Sequence, residues 1–208
     1  MAAVQLLLIR HALPLRSDAD ADPALAPLGL EQAARVPDGL RAHRLARIVS
    51  SPQLRARQTA EPLAADTGLP VDVLDGLAEY DRDFPGYLPI EEAREKFPAE
   101  FERIKAGHLP SAVDADAFRR RVFDDIASVV RDAEPEDTVA IFAHGGVINV
   151  HLQDLLGTAM PLTFPIDYVS VTRILFSRSG RRTVASVNET QHVWDLLPRN
   201  RARSSPTS

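Results

Sequence analysis

The sequence predicts an α/β protein, a three-layer α/β/α sandwich around a mostly parallel sheet. Three observations carry that prediction. The runs Leu6–Ile9 and Val139–Ala143 are continuously apolar, as in strands buried on both faces. Segments with helical spacing of apolar residues alternate with these and with shorter strand candidates. Each long run also ends abruptly in polar or small residues, Arg10-His11 and His144-Gly145-Gly146. In open α/β sheets, ligands collect just beyond such carboxyl ends.

In chain order, the first strand is followed by an Asp-rich stretch, Leu13 to Pro27, with Asp18, Asp20 and Asp22 in alternation. It lacks the glycine turn and distal glutamate of a calcium loop and is expected to be solvated. A helix opens at Leu28, with Leu30, Ala33, Ala34 and Leu40 on its apolar side, and Pro37 kinks or shortens it. Ala46–Ser50 is a short strand. Ser50-Ser51-Pro52 then reads as a helix start, with a hydroxyl at the cap and proline at the first position. That helix runs past Arg55 to about Asp66 and stops at Gly68. A weaker strand follows at Leu69–Leu74. From 76 to 114 the prolines at 85, 89, 98 and 110 break the pattern, and a lid-like insertion is expected. Asp116 caps a helix whose stripe is Phe118, Val122, Ile126, Val129 and Val130. After the second apolar strand, Val147–Leu156 forms a helix closed by Gly157. Val169–Phe176 and Thr183–Val187 form two further strands. Residues 1–198 are thus expected to be one domain and 199–208 a disordered tail.

Composition narrows the function. The 208 residues are 45% hydrophobic with a formal charge of −5, which gives no global reason to expect nucleic acid. Cysteine is absent, so disulfides, thiolate catalysis and thiolate-held metals are excluded. The first apolar run has no basic leader and no run is long enough to span a membrane, so a cytoplasmic protein is expected. With 22 arginines against two lysines, an arginine alone is weak evidence for an anion site.

The two strand-ending histidines, His11 and His144, raise the weight of a site above that of a lone histidine. Gly145 and Gly146 allow close backbone approach, and the helix after them offers N–H donors and a positive dipole end. Arg10 adds a fixed cation. Arg55, one turn into a helix that follows a third strand, can face the same rim. Such a pocket suits a phosphoryl group, whose oxygens require cations and oriented donors. Surface roles are assigned to Arg57 and to Glu91, Glu92 and Glu95. His43, His108 and His151 are read as surface or packing residues and His192 as structural. Asp81 and Arg82 are read either as lining a substrate mouth or as a solvated loop.

Several dispersed blocks carry a resemblance. They are Leu8-Ile9-Arg10-His11-Ala12, Leu28-Gly29 with Gln32-Ala33, Ser50-Ser51-Pro52 with Arg55-Ala56 and Gln58-Thr59-Ala60, Leu77-Ala78-Glu79, and His144-Gly145-Gly146-Val147-Ile148. In order and over roughly residues 4–192, the chain resembles the histidine phosphatase superfamily, the phosphoglycerate-mutase-like group, branch 1. The resemblance implies that His11 is the nucleophile that becomes phosphohistidine. Arg10 and Arg55 would clamp the phosphoryl oxygens, with Gly145 in the same phosphate site. His144 would be the second pocket histidine and Glu79 the proton donor to the leaving oxygen. It implies no metal and no other cofactor, a small phosphate ester as substrate, and a homodimer as the oligomer to test for.

Departures from the family choose among activities. Leu13-Pro14-Leu15 is apolar where mutases have polar substrate contacts, Ala26 stands where threonine is usual, and Ala143 where serine is common. A phosphomonoesterase is therefore expected. A cofactor-dependent phosphoglycerate mutase is the alternative, and a non-catalytic phospho-ligand module the least favoured.

Overall fold

The computed structural model describes residues 3–17, 21–84 and 96–201. The described strands are β1 (Ala3–Arg10), β2 (Leu45–Ser50), β3 (Val71–Val73), β4 (Thr138–Ala143), β5 (Val171–Ser177) and β6 (Arg182–Glu189). They form one sheet in the order β3-β2-β4-β1-β5-β6. The first four run parallel, while β5 and β6 are antiparallel to their neighbours. The α/β architecture read from the sequence is therefore present, with an antiparallel pair completing one edge.

The continuous apolar runs occupy the middle of the sheet, where both faces need cover. Leu6 and Leu8 of β1 pack on one face with Phe118, Val122 and Ile126. Leu7 and Ile9 pack on the other with Ala33, Leu40, Ala56 and Leu63. The first face is covered by α5 (Ala115–Asp132) and α6 (Gly145–Leu156), the second by α1 (Pro27–Ala33), α2 (Val36–Leu40) and α3 (Leu54–Thr67). A short helix α4 (Pro98–Lys105) lies in the segment read as an insertion, and α7 (Pro198–Arg201) follows the last 3-10 turn. The expected tail thus begins with a helical turn at Arg199–Arg201, and its remainder lies outside the described residues.

Several local readings change. Pro37 divides the expected helix into α1 and α2, taking an N-terminal position of the second piece. Leu30, expected on the apolar side, is 55% exposed; the buried positions of α1 are Gly29, Gln32 and Ala33. The reason is close approach: a Cβ on Gly29 would stand 2.0 Å from the Leu13 carbonyl oxygen. The cap expected from Asp116 comes from Asp114, whose carboxylate accepts from the N–H groups of Asp116 and Ala117. Helix α3 begins at Leu54, not at Pro52, and Gln53, at the N-cap position, makes no side-chain cap hydrogen bond. Its first N–H is satisfied at long range, because Leu54 N donates to both carboxylate oxygens of Asp22, at 2.7 and 2.9 Å. Asp22, expected to be solvated, is therefore a helix cap supplied from 32 positions away. Asp18, Asp20, Glu91, Glu92 and Glu95 lie outside the described residues.

Candidate active site

Register brings three strand ends together. Arg10 of β1 lies opposite Ala143 of β4, and Ser50 of β2 opposite Phe142. The pairing continues one residue further: His11 N–H donates to Ala143 O at 2.9 Å, and Ser51 N–H to Phe142 O at 2.9 Å. His11, Ser51 and His144 therefore emerge side by side at the carboxyl edge. The rings of His11 and His144 have centroids 5.0 Å apart.

The tautomer of His11 follows from its partner. Nδ1 lies 2.7 Å from the carbonyl oxygen of Ala12. A carbonyl only accepts, so Nδ1 carries the proton and the lone pair resides on Nε2. Burial, then the guanidiniums of Arg55 and Arg10, hold His11 well below the ordinary imidazole range, against a weaker opposing effect of the Ala12 carbonyl. The ring is therefore neutral at neutral pH. Ala12 itself is tied in place, its N–H donating to Thr59 Oγ1 at 2.9 Å.

His144 caps α6 by position and places its Nε2 2.7 Å from Ser51 Oγ, while its Nδ1 is buried without a hydrogen-bond partner. Burial followed by Arg55 also holds this ring well below its usual range. Both pocket histidines are thus neutral, and the positive charge belongs to the arginines.

Arg55 is completely buried. Its Nη1 donates to the Ala21 carbonyl at 3.1 Å, and its Nη2 lies 2.9 and 3.1 Å from the carboxylate oxygens of Asp81. Arg10 donates to the Ile166 carbonyl and lies over the face of Tyr168, its Cζ 4.0 Å from the ring centroid. That ring also flanks His11, with centroids 5.8 Å apart. Tyr168 precedes Val169, which adopts φ +58°, a conformation rare for a β-branched residue. The turn is closed by Val169 N–H donating to Arg10 O at 3.0 Å.

Glu79 enters from the 3-10 turn Asp75–Leu77 and is 6% exposed. Its Oε2 accepts from Gly146 N at 2.8 Å, and its Oε1 from Tyr80 N at 3.1 Å. Burial, reinforced by the charge of Asp81, outweighs these donors and Arg55, and raises its pKa to about 7. From α5, Arg121 donates to the carbonyls of Gly76 (2.8 Å), Ala78 and Glu79 (3.0 Å), fixing the turn that presents the acid. Gln53 reaches the same turn, its Oε1 accepting Glu79 N–H at 2.7 Å.

Arg10, His11, Arg55, Glu79 and His144 are therefore brought to one rim, and Gly145 opens α6 beside Arg10. The structure adds Ser51, Gln53, Arg121 and Tyr168, which sequence reasoning did not single out as site residues. Only Ser51, in the block after β2, carried a local signal. Asp81 contacts Arg55, which favours the mouth over the solvated loop. Arg57 is exposed, His151 is buried between Phe123 and Phe176, and the His192 ring packs on Gly39.

A neutral, tautomer-fixed imidazole beside two arginines and a protonatable carboxyl at the carboxyl edge of the sheet defines the class: an α/β protein with a buried cationic cluster at its strand ends. The chain belongs to the histidine phosphatase superfamily (branch 1), which matches residues 6–190, and it is a phosphatase of that superfamily. It is 34% identical to phosphoserine phosphatase 1 of Hydrogenobacter thermophilus over 204 residues, 93% of this chain and 96% of that one. It is 29% identical to the uncharacterized phosphatase PhoE of Bacillus subtilis over 110 residues, only 53% of either chain. Among solved structures it is similar to Bacillus stearothermophilus YhfR, with TM-score 0.77, 24% identity, and coverage of 91% and 99%. It is also similar to an Entamoeba histolytica phosphoserine phosphatase mutant in complex with phosphoserine, with TM-score 0.71, 21% identity, and coverage of 91% and 99%. No described helix is long and apolar enough to cross a membrane.

Proposed function

We propose that the chain hydrolyses a small phosphomonoester through a phosphohistidine on His11. The observation that carries this reading is the Nδ1–H of His11 on the Ala12 carbonyl, which leaves Nε2 as the nucleophile on a ring kept neutral. Nε2 attacks phosphorus and the P–O ester bond breaks. Glu79 gives its proton to the departing oxygen, as a carboxyl with a pKa of about 7 can do. Water then attacks phosphorus and loses a proton to the Glu79 carboxylate, the P–N bond breaks with its electron pair returning to Nε2, and inorganic phosphate leaves. Arg10 and Arg55 hold the phosphoryl oxygens, joined by the backbone at Gly145 and by His144. A bound dianion favours the charged form of His144, which then donates where the free enzyme leaves Nδ1 without a partner. No step is assigned to a metal or other cofactor.

The apolar Leu13-Pro14-Leu15 favours hydrolysis over a phosphoglycerate mutase. The name of the Hydrogenobacter relative makes phosphoserine the first ester to assay. The test is release of phosphate from phosphoserine, sugar phosphates and aryl phosphates, beside interconversion of phosphoglycerates with and without the bisphosphate. Hydrolysis faster than transfer is expected. Bisphosphate-dependent transfer that outpaces hydrolysis of every ester would replace this reading with the mutase.

A further inference from the structure

Asp81 occupies an unusual place in a pocket suited to an anion. Both of its carboxylate oxygens lie on Nη2 of Arg55, at 2.9 and 3.1 Å. Gln53 Nε2 donates to the same carboxylate at 3.2 Å. The Arg55 side chain is fully buried, whereas that of Asp81 keeps 15% exposure. Among the described residues, Asp22 is the other acid near the guanidinium, 3.8 Å from Nη1, but it also accepts the first N–H of α3. Of the two carboxylates, Asp81 is therefore the one placed to move, since it lies at the edge of the site on the segment that leaves Glu79 for the surface.

The inference rests on the reading that Arg55 binds the phosphoryl group. We propose that Asp81 is a built-in competitor for Arg55, displaced by the phosphoryl group on entry and returning to the guanidinium as inorganic phosphate leaves. A carboxylate and a phosphoryl dianion on one guanidinium edge repel each other, and in a water-poor pocket that repulsion is weakly screened. Arg55 without a counter-ion would in turn be a costly buried charge. Asp81 meets both conditions: it neutralises Arg55 in the empty site and disfavours retention of the product. The displacement costs substrate and phosphate alike, but substrate offsets it through contacts to the rest of the molecule, which phosphate lacks, so phosphate is the ligand left weakly held. Asp81 is thus a positioning and release residue acting through Arg55, with no covalent part in the reaction.

The test is calorimetric titration of inorganic phosphate into wild type, Asp81→Asn and Asp81→Ala, with the phosphate inhibition constant measured in the ester assay. Asparagine keeps the size and a hydrogen bond to Gln53 while removing the charge. The expected result is phosphate bound about tenfold more tightly in both variants, with the inhibition constant falling in step. A purely structural role would loosen Arg55 and weaken phosphate, so equal or weaker binding in both variants overturns the inference. Alanine keeps the test valid if the asparagine variant is poorly folded. His11→Ala is assayed in parallel. Wild-type turnover there overturns the nucleophile reading, whereas an inactive His11→Ala with unchanged phosphate affinity in the Asp81 variants overturns the competitor alone.

Discussion

Gly146→Ala tests the placement of Glu79, the proposed general acid, without altering any titratable group. A Cβ at this position would lie 2.3 Å from Glu79 Oε1 and 2.7 Å from two ring carbons of Tyr80, whereas ordinary contact begins near 3.4 Å. The carboxyl must therefore retreat by about 1 Å, a displacement of the size that can cost a reacting group about a hundredfold. It also loses its 2.8 Å bond from Gly146 N. A hundredfold corresponds to about 2.7 kcal/mol of barrier. Glu79 matters most when the departing oxygen needs a proton. The loss should reach about a hundredfold in kcat/KM for an alkyl phosphate and stay within about tenfold for p-nitrophenyl phosphate, whose leaving group departs as the anion. Gly145→Ala supplies the contrast: its Cβ would meet nothing nearer than Arg10 Nε at 3.8 Å, so its loss should be much smaller. The melting temperature of each variant separates misplacement from unfolding. Equal losses on the two esters in a fully folded Gly146→Ala would show that Glu79 does not protonate the departing oxygen.

Three further outcomes follow from the same geometry. Because Glu79 is protonated below its pKa of about 7, kcat/KM for an alkyl ester should fall about tenfold per pH unit above that point. The limb should vanish in Glu79→Gln, and a rate that still climbs to pH 9 in wild type would contradict the assignment. His151 is buried with both ring nitrogens unpartnered, and burial lowers its pKa to about 4. His151→Leu should raise stability by about 1 kcal/mol at pH 8 by removing the unsatisfied nitrogens. In wild type the unfolded ring gains a proton as pH falls through 6.5 while the folded ring stays neutral to about 4, so stability is lost across that window. The leucine variant should keep up to about 3 kcal/mol more at its lower end, and identical denaturation curves at pH 8 and pH 5 would disprove this. Asp22→Ala removes the cap of α3 and should cost about 1 kcal/mol, or about 3 °C in melting temperature. An unchanged melt would show that the Leu54 N–H finds another acceptor.

The centre of this molecule was legible because burial writes itself into sequence. Leu6–Ile9 and Val139–Ala143 have to be apolar throughout to be covered on both faces, and the sudden polar residues after them mark where that cover ends. Arg10, His11 and His144 were therefore locatable from position alone. Arg55 could be placed at the same rim from its position one turn into the helix after a third strand, whereas Glu79 needed the family resemblance, since one acid among many has no local mark. What stayed hidden depends on contacts between distant segments. Asp22 caps α3 from another loop, Arg121 holds carbonyls more than 40 positions away, and Tyr168 meets Arg10 only because Val169 turns the chain at positive φ. The misplacement of Leu30 has the same origin. Helical spacing identifies a stripe, but the short α1 is docked through Gly29 against the Leu13 carbonyl, and this turns Leu30 outward.

A phosphoenzyme assay tests most directly whether His11 carries the phosphoryl group. The protein is mixed with a labelled phosphomonoester in the presence of a chelator, quenched in base, and compared with His11→Ala. Wild-type protein should carry label that is stable in base and lost in acid, as a phosphorus–nitrogen bond is, with neither label nor turnover in His11→Ala. Turnover in His11→Ala equal to that of wild type would contradict it.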